Sequence, residues 1–235
     1  MEAGNPLLDD FVLGLAGKPR PKVCFLPAAS GDADHYIVRF YRHFSADKCE
    51  ASHLSLFRRD KAPADPREHL LSQDLIYVGG GSVTSLVGVL RAHGIDEILR
   101  ECWEHGVILC GLSAGSLCWF AEGVSNFHGP TQRIEGLGLL PWANTVHYSS
   151  EPARREALHE CLHDGMAPAY AADDGAALHF VGEDVVQVVA SRPCARAYRV
   201  ELRHGHVVTT KLATRYLGDA GSVPLVRPVR MLAEA

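Results

Sequence analysis

The chain has 235 residues, of which 47% are hydrophobic and 22% charged, so it can bury a large core as one domain over residues 1–235. The net charge is -5 and the basic residues are scattered along the chain. This pattern excludes a cationic stripe of the kind that binds nucleic acid or an anionic membrane. We expect the partners to be small molecules or peptides.

The N-terminal segment and the cysteines bear on the cellular compartment. Residues 1–6 lack the basic start and apolar segment of a secretory signal, and no apolar run approaches the length of a membrane span. The seven cysteines are irregularly spaced without a C-x-x-C pair, and Cys24, Cys110 and Cys118 lie within apolar runs. We predict reduced, mostly buried thiols in a cytoplasmic protein without a membrane partner.

Apolar strands and helices alternate through the first half of the chain. Strands are predicted at residues 22–27, 51–57, 74–78 and 107–112. Helices are predicted at 34–44, 66–71 and 82–105, the last with a break near Gly94. This alternation predicts an α/β fold with a doubly wound, mainly parallel sheet and helices on both faces. Later β segments, at 185–191, 197–203 and 207–210, predict an antiparallel C-terminal extension.

Three loops rich in small residues follow the predicted parallel strands. They cover residues 28–32, 79–82 and 111–115. Because ligands of such sheets bind beyond the carboxyl ends of the strands, we expect the functional site at these loops.

The last of these loops reads Gly-Leu-Ser-Ala-Gly at residues 111–115, between an apolar strand and a helix-like segment that runs to Phe120. This G-x-S-x-G pattern is typical of a nucleophile elbow. Glycines flank the serine because a sharp strand-to-helix turn strains the backbone and leaves no room for neighbouring side chains. Ser113 is therefore predicted to be a nucleophile.

A serine nucleophile needs a base within hydrogen-bond reach and a third group that orients the base. His147 lies in a segment at residues 144–148 that is typical of a strand end, and it is the favoured base, with a surface histidine as the alternative interpretation. Asp173 and Asp174 end the apolar stretch 169–172 and are candidates for the third group, with a solvated turn as the alternative interpretation.

The glycine run at residues 79–81 suits an oxyanion hole, which is built from backbone N–H groups. Gly80 or Gly81 is expected to donate one N–H, and Ala114, directly after the nucleophile, the other. An ordinary glycine turn is the alternative, and the elbow at Ser113 favours the oxyanion hole.

Together these motifs resemble the peptidase E (α-aspartyl dipeptidase) family of serine peptidases. The matching segments are residues 25–27, 30–32, 77–81, 111–115, 138–141, 147–148 and 173–175. The resemblance implies a class I glutamine-amidotransferase-like fold, no cofactor and a possible homodimer. It implies Ser113 as nucleophile and His147 as base, with Asp174 standing where the family's glutamate falls.

The resemblance leaves the substrate side chain open. Asn126 stands where similar family members often carry an aspartate. Aspartyl dipeptidases bind the substrate's N-terminal aspartate with an arginine in the segment after the histidine, which here offers Arg154, Arg155 or neither. A pair of solvated arginines at a helix start is the alternative.

Residues 159–163 form a literal H-E-x-x-H, the helical zinc-binding motif of metalloproteases. Leu158, Cys161 and Leu162 define the predicted buried stripe, and the histidines fall beside it. We interpret the match as accidental and predict no metal site.

The leading expectation is a serine exopeptidase that acts on short peptides through an acyl-enzyme. One alternative is a cyanophycinase-like hydrolase of aspartyl-linked peptides, and another is a catalytically inactive binding member of the fold. An α/β-hydrolase esterase is disfavoured because that fold has the order Ser, Asp, His along the chain.

Overall fold

The computed structural model describes residues 1–2, 4–58 and 63–219. Its first sheet consists of β1 Lys22–Leu26, β2 Glu50–His53, β3 Leu75–Val78 and β4 Ile108–Gly111. These strands are parallel, in the order β2-β1-β3-β4. The second strand is shorter than predicted, because the N–H of Phe57 donates to the carboxylate of Asp32 (2.8 Å) instead of extending the strand.

Helices connect these strands as predicted. The described helices are α1 Leu7–Leu15, α2 Asp34–His43, α3 Pro66–Leu71, α4 Val83–Ala92, α5 Ile95–Glu104, α6 Ala114–Leu117 and α7 Pro152–His163. Ser82 caps α4 by accepting a hydrogen bond from the N–H of Ser85 (3.1 Å). Gly94 has a φ of 64° and separates α4 from α5 at the predicted break.

Hydrophobic clusters cover both faces of the parallel sheet. Val23 and Phe25 of β1 pack in a cluster that includes α2, and the ring of Phe25 stacks on Phe40 with centroids 4.8 Å apart. Cys24 and Leu26 face the opposite way and pack in a cluster with α4 and α5. This alternation shows that β1 is buried on both faces, as expected for a parallel sheet.

Two further sheets follow. Their strands are β5 Phe120–Ser125, β6 Gln132–Glu135, β7 Leu140–Val146, β8 Ala169–Ala172, β9 Ala176–Val181, β10 Asp184–Ala190, β11 Ala197–Arg203, β12 His206–Lys211 and β13 Thr214–Tyr216. The six-stranded sheet has the order β12-β11-β8-β7-β5-β6, and its strands β8, β7 and β5 are parallel to one another. The three-stranded sheet has the order β13-β10-β9. The predicted fold class, mainly parallel with antiparallel additions, is confirmed.

The segment after the serine differs from its prediction. Helix α6 ends at Leu117, and Phe120 begins β5 instead of ending the helix. Phe120 is 3% exposed, and its ring packs edge-on against Phe180 with centroids 5.6 Å apart. Pairing with β6 and β7, together with packing of this ring, overrides the local helical preference, and the resulting β5 was not predicted.

All seven cysteines are free thiols, as predicted. Burial raises the pKa of the Cys24 thiol to about 12, so this thiol is protonated and unreactive. Within the described ranges, no helix has both the length and the apolar character that a membrane span requires.

Candidate active site

Ser113 lies at the turn between β4 and α6. Its φ of 53° and ψ of -113° are rarely adopted by residues with a side chain. Close contacts require the flanking glycines, because a Cβ added at Gly111 would lie 2.3 Å from the carbonyl oxygen of Gly115. A Cβ at Gly115 would lie 2.2 Å from the carbonyl oxygen of Val78. The turn therefore has the strained strand-to-helix geometry that the pentapeptide predicts.

His147 and Asp174 follow two neighbouring parallel strands. Val146 of β7 is opposite Ala172 of β8, so the carboxyl ends of the strands are adjacent. Nε2 of His147 lies 3.2 Å from Oγ of Ser113, and Nδ1 lies 2.5 Å from Oδ1 of Asp174. In this arrangement a carboxylate orients an imidazole toward a serine hydroxyl.

The neighbouring aspartates have different partners. Oδ2 of Asp174 accepts a hydrogen bond from the hydroxyl of Ser150 at 2.6 Å. Asp173 instead accepts from the hydroxyl of Ser149 (2.5 Å) and from the N–H of Arg196 (3.0 Å). Sequence analysis missed both serines. The signal that could have found them is the S-S pair two residues after His147, combined with the D-D pair at the end of the next predicted strand.

The carboxyl group of Asp174 is held in its charged form. Partial burial acts to raise the pKa of Asp174, but hydrogen bonds from Ser150 and His147 outweigh it and keep the pKa below the ordinary value of 3.8. The carboxylate is therefore charged at neutral pH. It can stabilise positive charge that develops on the imidazole.

The glycine loop after β3 lies against the serine. A Cβ added at Gly80 would lie 2.8 Å from Cδ1 of Leu112 and 3.5 Å from Cβ of Ser113. Gly81 has a φ of 142°, and an added Cβ would lie 2.1 Å from the carbonyl oxygen of Ala29. Among the described residues, no protein acceptor takes the N–H of Gly80 or Gly81. Free N–H groups in a loop that contacts a nucleophilic serine residue are candidates to receive an oxyanion.

Comparison with known proteins identifies the family. Residues 1–188 match the family model described as Peptidase family S51. The chain belongs to peptidase family S51. It is therefore a peptidase whose substrates are peptides.

Relatives of this S51 peptidase are also named as peptidases. The uncharacterized peptidase YgaJ of Bacillus subtilis (strain 168) is 42% identical over 219 residues, which cover 93% of this chain and 94% of the relative. Peptidase E of Pasteurella multocida (strain Pm70) is 27% identical over 191 residues, covering 76% and 78%.

Two solved structures share the fold. The crystal structure of a peptidase from an acI-B1 Actinobacterium has a TM-score of 0.68 at 20% identity and covers 89% of each chain. A putative peptidase E protein from Listeria monocytogenes EGD-e has a TM-score of 0.53 at 16% identity, covering 89% of this chain and 95% of its own. These likenesses confirm a peptidase E-like fold.

Two of the three residues predicted to contact substrate bind each other in this S51 peptidase. Arg154 is only 6% exposed, and its Nε donates to Oε2 of Glu151 (2.7 Å). Its Nη2 donates to the amide oxygen of Asn126 (2.7 Å), whose nitrogen donates to the same Glu151 oxygen (2.7 Å). The N–H of Glu151 donates to the carbonyl of His147 (2.9 Å), so the cluster is attached to the backbone of the histidine.

Arg155, the third of these residues, has a different environment. Its side chain is exposed, and the guanidinium carbon lies 6.0 Å from the ring centroid of Tyr148, which directly follows His147. A guanidinium in this position can bind a carboxylate with two parallel hydrogen bonds.

A cavity of about 1390 Å³ reaches Ser113 and His147. It continues from them along the whole length of β4 and is also lined by α1, α2 and β9. The cavity is larger than the roughly 300–1,000 Å³ of a small-molecule site, so it has room for more than a dipeptide.

The H-E-x-x-H segment lies on α7. Burial of the ring, together with the positive charge of Arg155, lowers the pKa of His159. In the part of the chain that the structure describes, no three His, Cys, Asp or Glu side chains are grouped so that they could hold a metal ion.

A second serine–histidine contact was not predicted. Oγ of Ser82, at the end of the glycine loop, lies 2.6 Å from Nε2 of His128 in the turn between β5 and β6. Ser82 is 3% exposed and also caps α4. We interpret this contact as a structural one that holds the end of the glycine loop against the β5–β6 turn.

Proposed function

We propose that this S51 peptidase is a serine-type exopeptidase that hydrolyses short peptides through an acyl-enzyme on Ser113. The continuous contact from Ser113 through His147 to Asp174, with distances of 3.2 and 2.5 Å, carries the proposal. It supplies a nucleophile, a base and an orienting carboxylate in one arrangement.

In the first half of the reaction, Oγ of Ser113 attacks the scissile carbonyl while Nε2 of His147 takes the hydroxyl proton. The imidazolium that forms keeps its Nδ1–H bond to Asp174, whose charge stabilises it. The N–H groups of Gly80 or Gly81 and of Ala114 hold the developing oxyanion. His147 then returns the proton to the leaving amine.

In the second half, water attacks the acyl-enzyme while His147 removes one of its protons. Collapse of the second tetrahedral intermediate breaks the ester bond, and the proton returns from His147 to Oγ of Ser113. The products are a carboxylic acid and free enzyme.

The residues around the triad support a role for an acidic group of the substrate, with an N-terminal aspartate as the candidate residue. We propose Arg155 as the side chain that contacts this group, because it is exposed and its guanidinium carbon lies 6.0 Å from the ring centroid of Tyr148, which directly follows His147. Arg154 and Asn126 act behind it, since their contacts with Glu151 hold the start of α7 in place.

The location and assembly of the enzyme remain proposals. Seven free thiols support a reducing compartment, the cytoplasm. The homodimer and the single domain over residues 1–235 stay predictions, to be checked by light scattering and limited proteolysis.

The proposal is tested by incubating a dipeptide and tripeptide library with wild type and Ser113→Ala, with and without a chelator. Ser113→Ala is expected to lower kcat by at least about 10⁴-fold. The chelator is expected to leave activity unchanged, and mass spectrometry of quenched wild type should find an acyl group on Ser113.

Other outcomes would select other functions. Release of intact β-aspartyl-arginine from a longer aspartyl-linked peptide, without hydrolysis of the library, would favour the cyanophycinase-like alternative, which uses the same serine. No hydrolysis by folded wild type would favour a binding protein. Activity that survives Ser113→Ala but not the chelator would overturn the serine mechanism.

A further inference from the structure

The cavity at Ser113 follows an unpaired sheet edge. Strand β4 pairs with β3 on one side, and no other described strand pairs with it. Every residue of β4 lines the cavity, which reaches Ser113 at the carboxyl end of the strand and Gly106 before its start. We call the space along this edge the β4 cleft.

Backbone hydrogen bonds show which groups face the β4 cleft. The N–H of Ile108 donates to the carbonyl of Asp74 (3.0 Å), and the N–H of Leu112 donates to that of Val78 (3.2 Å). Because backbone groups of successive strand residues point to opposite sides, Leu109 and Gly111 direct N–H and C=O into the cleft. Such an edge is a template for another strand.

Strand β9 also lines the β4 cleft. It pairs with β10 and with no other described strand, and all of its residues line the cleft. Apolar side chains stay exposed at the rim: Val38 of α2 is 49% exposed and Val181 of β9 is 44% exposed. The walls can thus cover the side chains of an extended chain lying on β4.

Two arginines lie along the β4 cleft. Arg39 and Arg42 of α2 are exposed cleft-lining residues, and neither has an ion pair within the described ranges. Helix α2 starts beyond the carboxyl ends of the parallel strands, where Ser113 also lies. Arg42 is eight residues from the start of this helix, or about 12 Å along its axis. The four residues of β4 span about 13 Å, so Arg42 is level with the far end of the strand.

We propose that the β4 cleft binds an extended peptide of about four residues as an added strand on β4. The peptide pairs with Leu109 and Gly111, its scissile bond lies at Ser113, and a carboxylate at its far end lies by Arg39 and Arg42. Strand addition of this kind draws its affinity from main-chain hydrogen bonds. That the bound peptide is a substrate rests on the proposed function.

The first test measures binding without turnover. Calorimetry would compare the Ser113→Ala protein with the peptide Ala-Val-Ala-Val-Ala-Asp and with copies that are N-methylated at one peptide bond each. Because every second N–H of an added strand points at β4, methylation should weaken binding at least about ten-fold at alternate positions and little between them. Equal effects at all positions, or no binding, would overturn the proposal.

Hydrogen exchange of the same protein examines the edge itself. The amides of Leu109 and Gly111 should exchange quickly in the free protein and slowly with the hexapeptide bound. Slow exchange without peptide would show that another part of the chain or a second copy already pairs with β4, and would overturn the proposal.

The charges are tested with the double variant Arg39→Ala, Arg42→Ala. We expect about five-fold weaker binding of the hexapeptide, and no change for a peptide with asparagine last and an amidated end. Amidation alone and asparagine alone distinguish a terminal from a side-chain carboxylate. Arg20→Ala, exposed and outside the cleft, is the matched control. An equal loss for charged and neutral peptides would overturn the assignment of the arginines.

The two proposals can fail separately. If Ser113→Ala binds peptides with the alternating pattern but wild type hydrolyses none, the cleft stands and the peptidase mechanism fails. If wild type cleaves dipeptides in a Ser113-dependent way but the hexapeptide does not bind, only the cleft proposal fails.

Discussion

Ser150 donates its hydroxyl to Oδ2 of Asp174 at 2.6 Å, opposite the oxygen that faces Nδ1 of His147 at 2.5 Å. The two carboxylate oxygens therefore have separate partners. Ser149, one residue earlier, makes the corresponding contact with Asp173. The two serines therefore make similar contacts, but only Ser150 contacts the carboxylate that orients His147.

Ser150→Ala is expected to lower kcat by about ten-fold, because the loss of a hydrogen bond to a charged group leaves Asp174 less firmly oriented. It should also raise the pKa of Asp174 in a carbon-13 NMR titration. Ser149→Ala is the control and should change neither value appreciably. Equal losses of kcat in both variants would show that the contact of Ser150 with Asp174 has no special role in catalysis.

The pH dependence of stability follows from the lowered pKa of Asp174. In the folded chain this pKa lies below the ordinary 3.8, so the stabilisation by its charge is present above pH 3.8 and is lost as the pH falls through the folded value. We expect the difference in urea midpoint between wild type and Asp174→Asn to shrink below pH 3.8. A difference that grows toward low pH would contradict the direction of the shift.

Asp174→Asn is expected to reduce kcat by about 10⁴-fold, because an amide in place of the carboxylate favours the wrong tautomer of His147. Asp173→Asn should cost much less, since Asp173 contacts Ser149 and the backbone of Arg196. Steady-state kinetics of both variants on one dipeptide make the comparison. A larger loss for Asp173→Asn would reverse the assignment of the third catalytic group.

Gly115→Ala is expected to destabilise the fold by roughly 2–4 kcal/mol, because its Cβ would lie 2.2 Å from the carbonyl oxygen of Val78 and force the elbow away from β3. Gly88→Ala is the matched control. It lies on α4 with nothing within 4 Å of an added Cβ, and should stabilise the protein by about 0.5–1 kcal/mol. Urea unfolding of both variants tests this contrast.

Arg154→Ala and Arg155→Ala are expected to separate stability from substrate binding. Loss of Arg154 removes the cation paired with Glu151 and the donor to the amide oxygen of Asn126, and should cost roughly 1–3 kcal/mol of unfolding free energy. Arg155→Ala should leave stability within about 0.5 kcal/mol but raise KM for acidic dipeptides. An unchanged KM for Arg155→Ala would remove this residue from the substrate site.

Local motifs predicted much of the fold and the site. The alternation of apolar strands with helices indicated the parallel sheet, because each strand buried on both faces is a short apolar run. The strained turn at Ser113 could be predicted because the close contact that requires a glycine at position 111 is with the carbonyl oxygen of Gly115, four residues along the chain. His147 could be predicted as the base because it directly follows a predicted strand, so it was expected at the same end of the sheet as the elbow.

Contacts between segments that are distant in the chain could not be predicted from the sequence. Residues 120–125 form a strand that pairs with β6 and β7, and the ring of Phe120 contacts Phe180, far along the chain. Ser149 and Ser150 gain a role only because the ends of β7 and β8 are level. One edge of β4 is unpaired because the later described strands pair with one another in two separate sheets, and not with β4.

By itself, the sequence predicted the elbow, because the steric limit that requires Gly111 at this turn acts within a few residues, and it showed Ser113, His147 and the Asp173–Asp174 pair in that order along the chain. The tertiary structure decided between adjacent side chains: Asp174 rather than Asp173 faces His147, and Arg154 is buried while Arg155 is exposed. Neighbouring residues point in different directions from one backbone. Which direction meets a partner depends on the register of strands and helices that are distant in the chain.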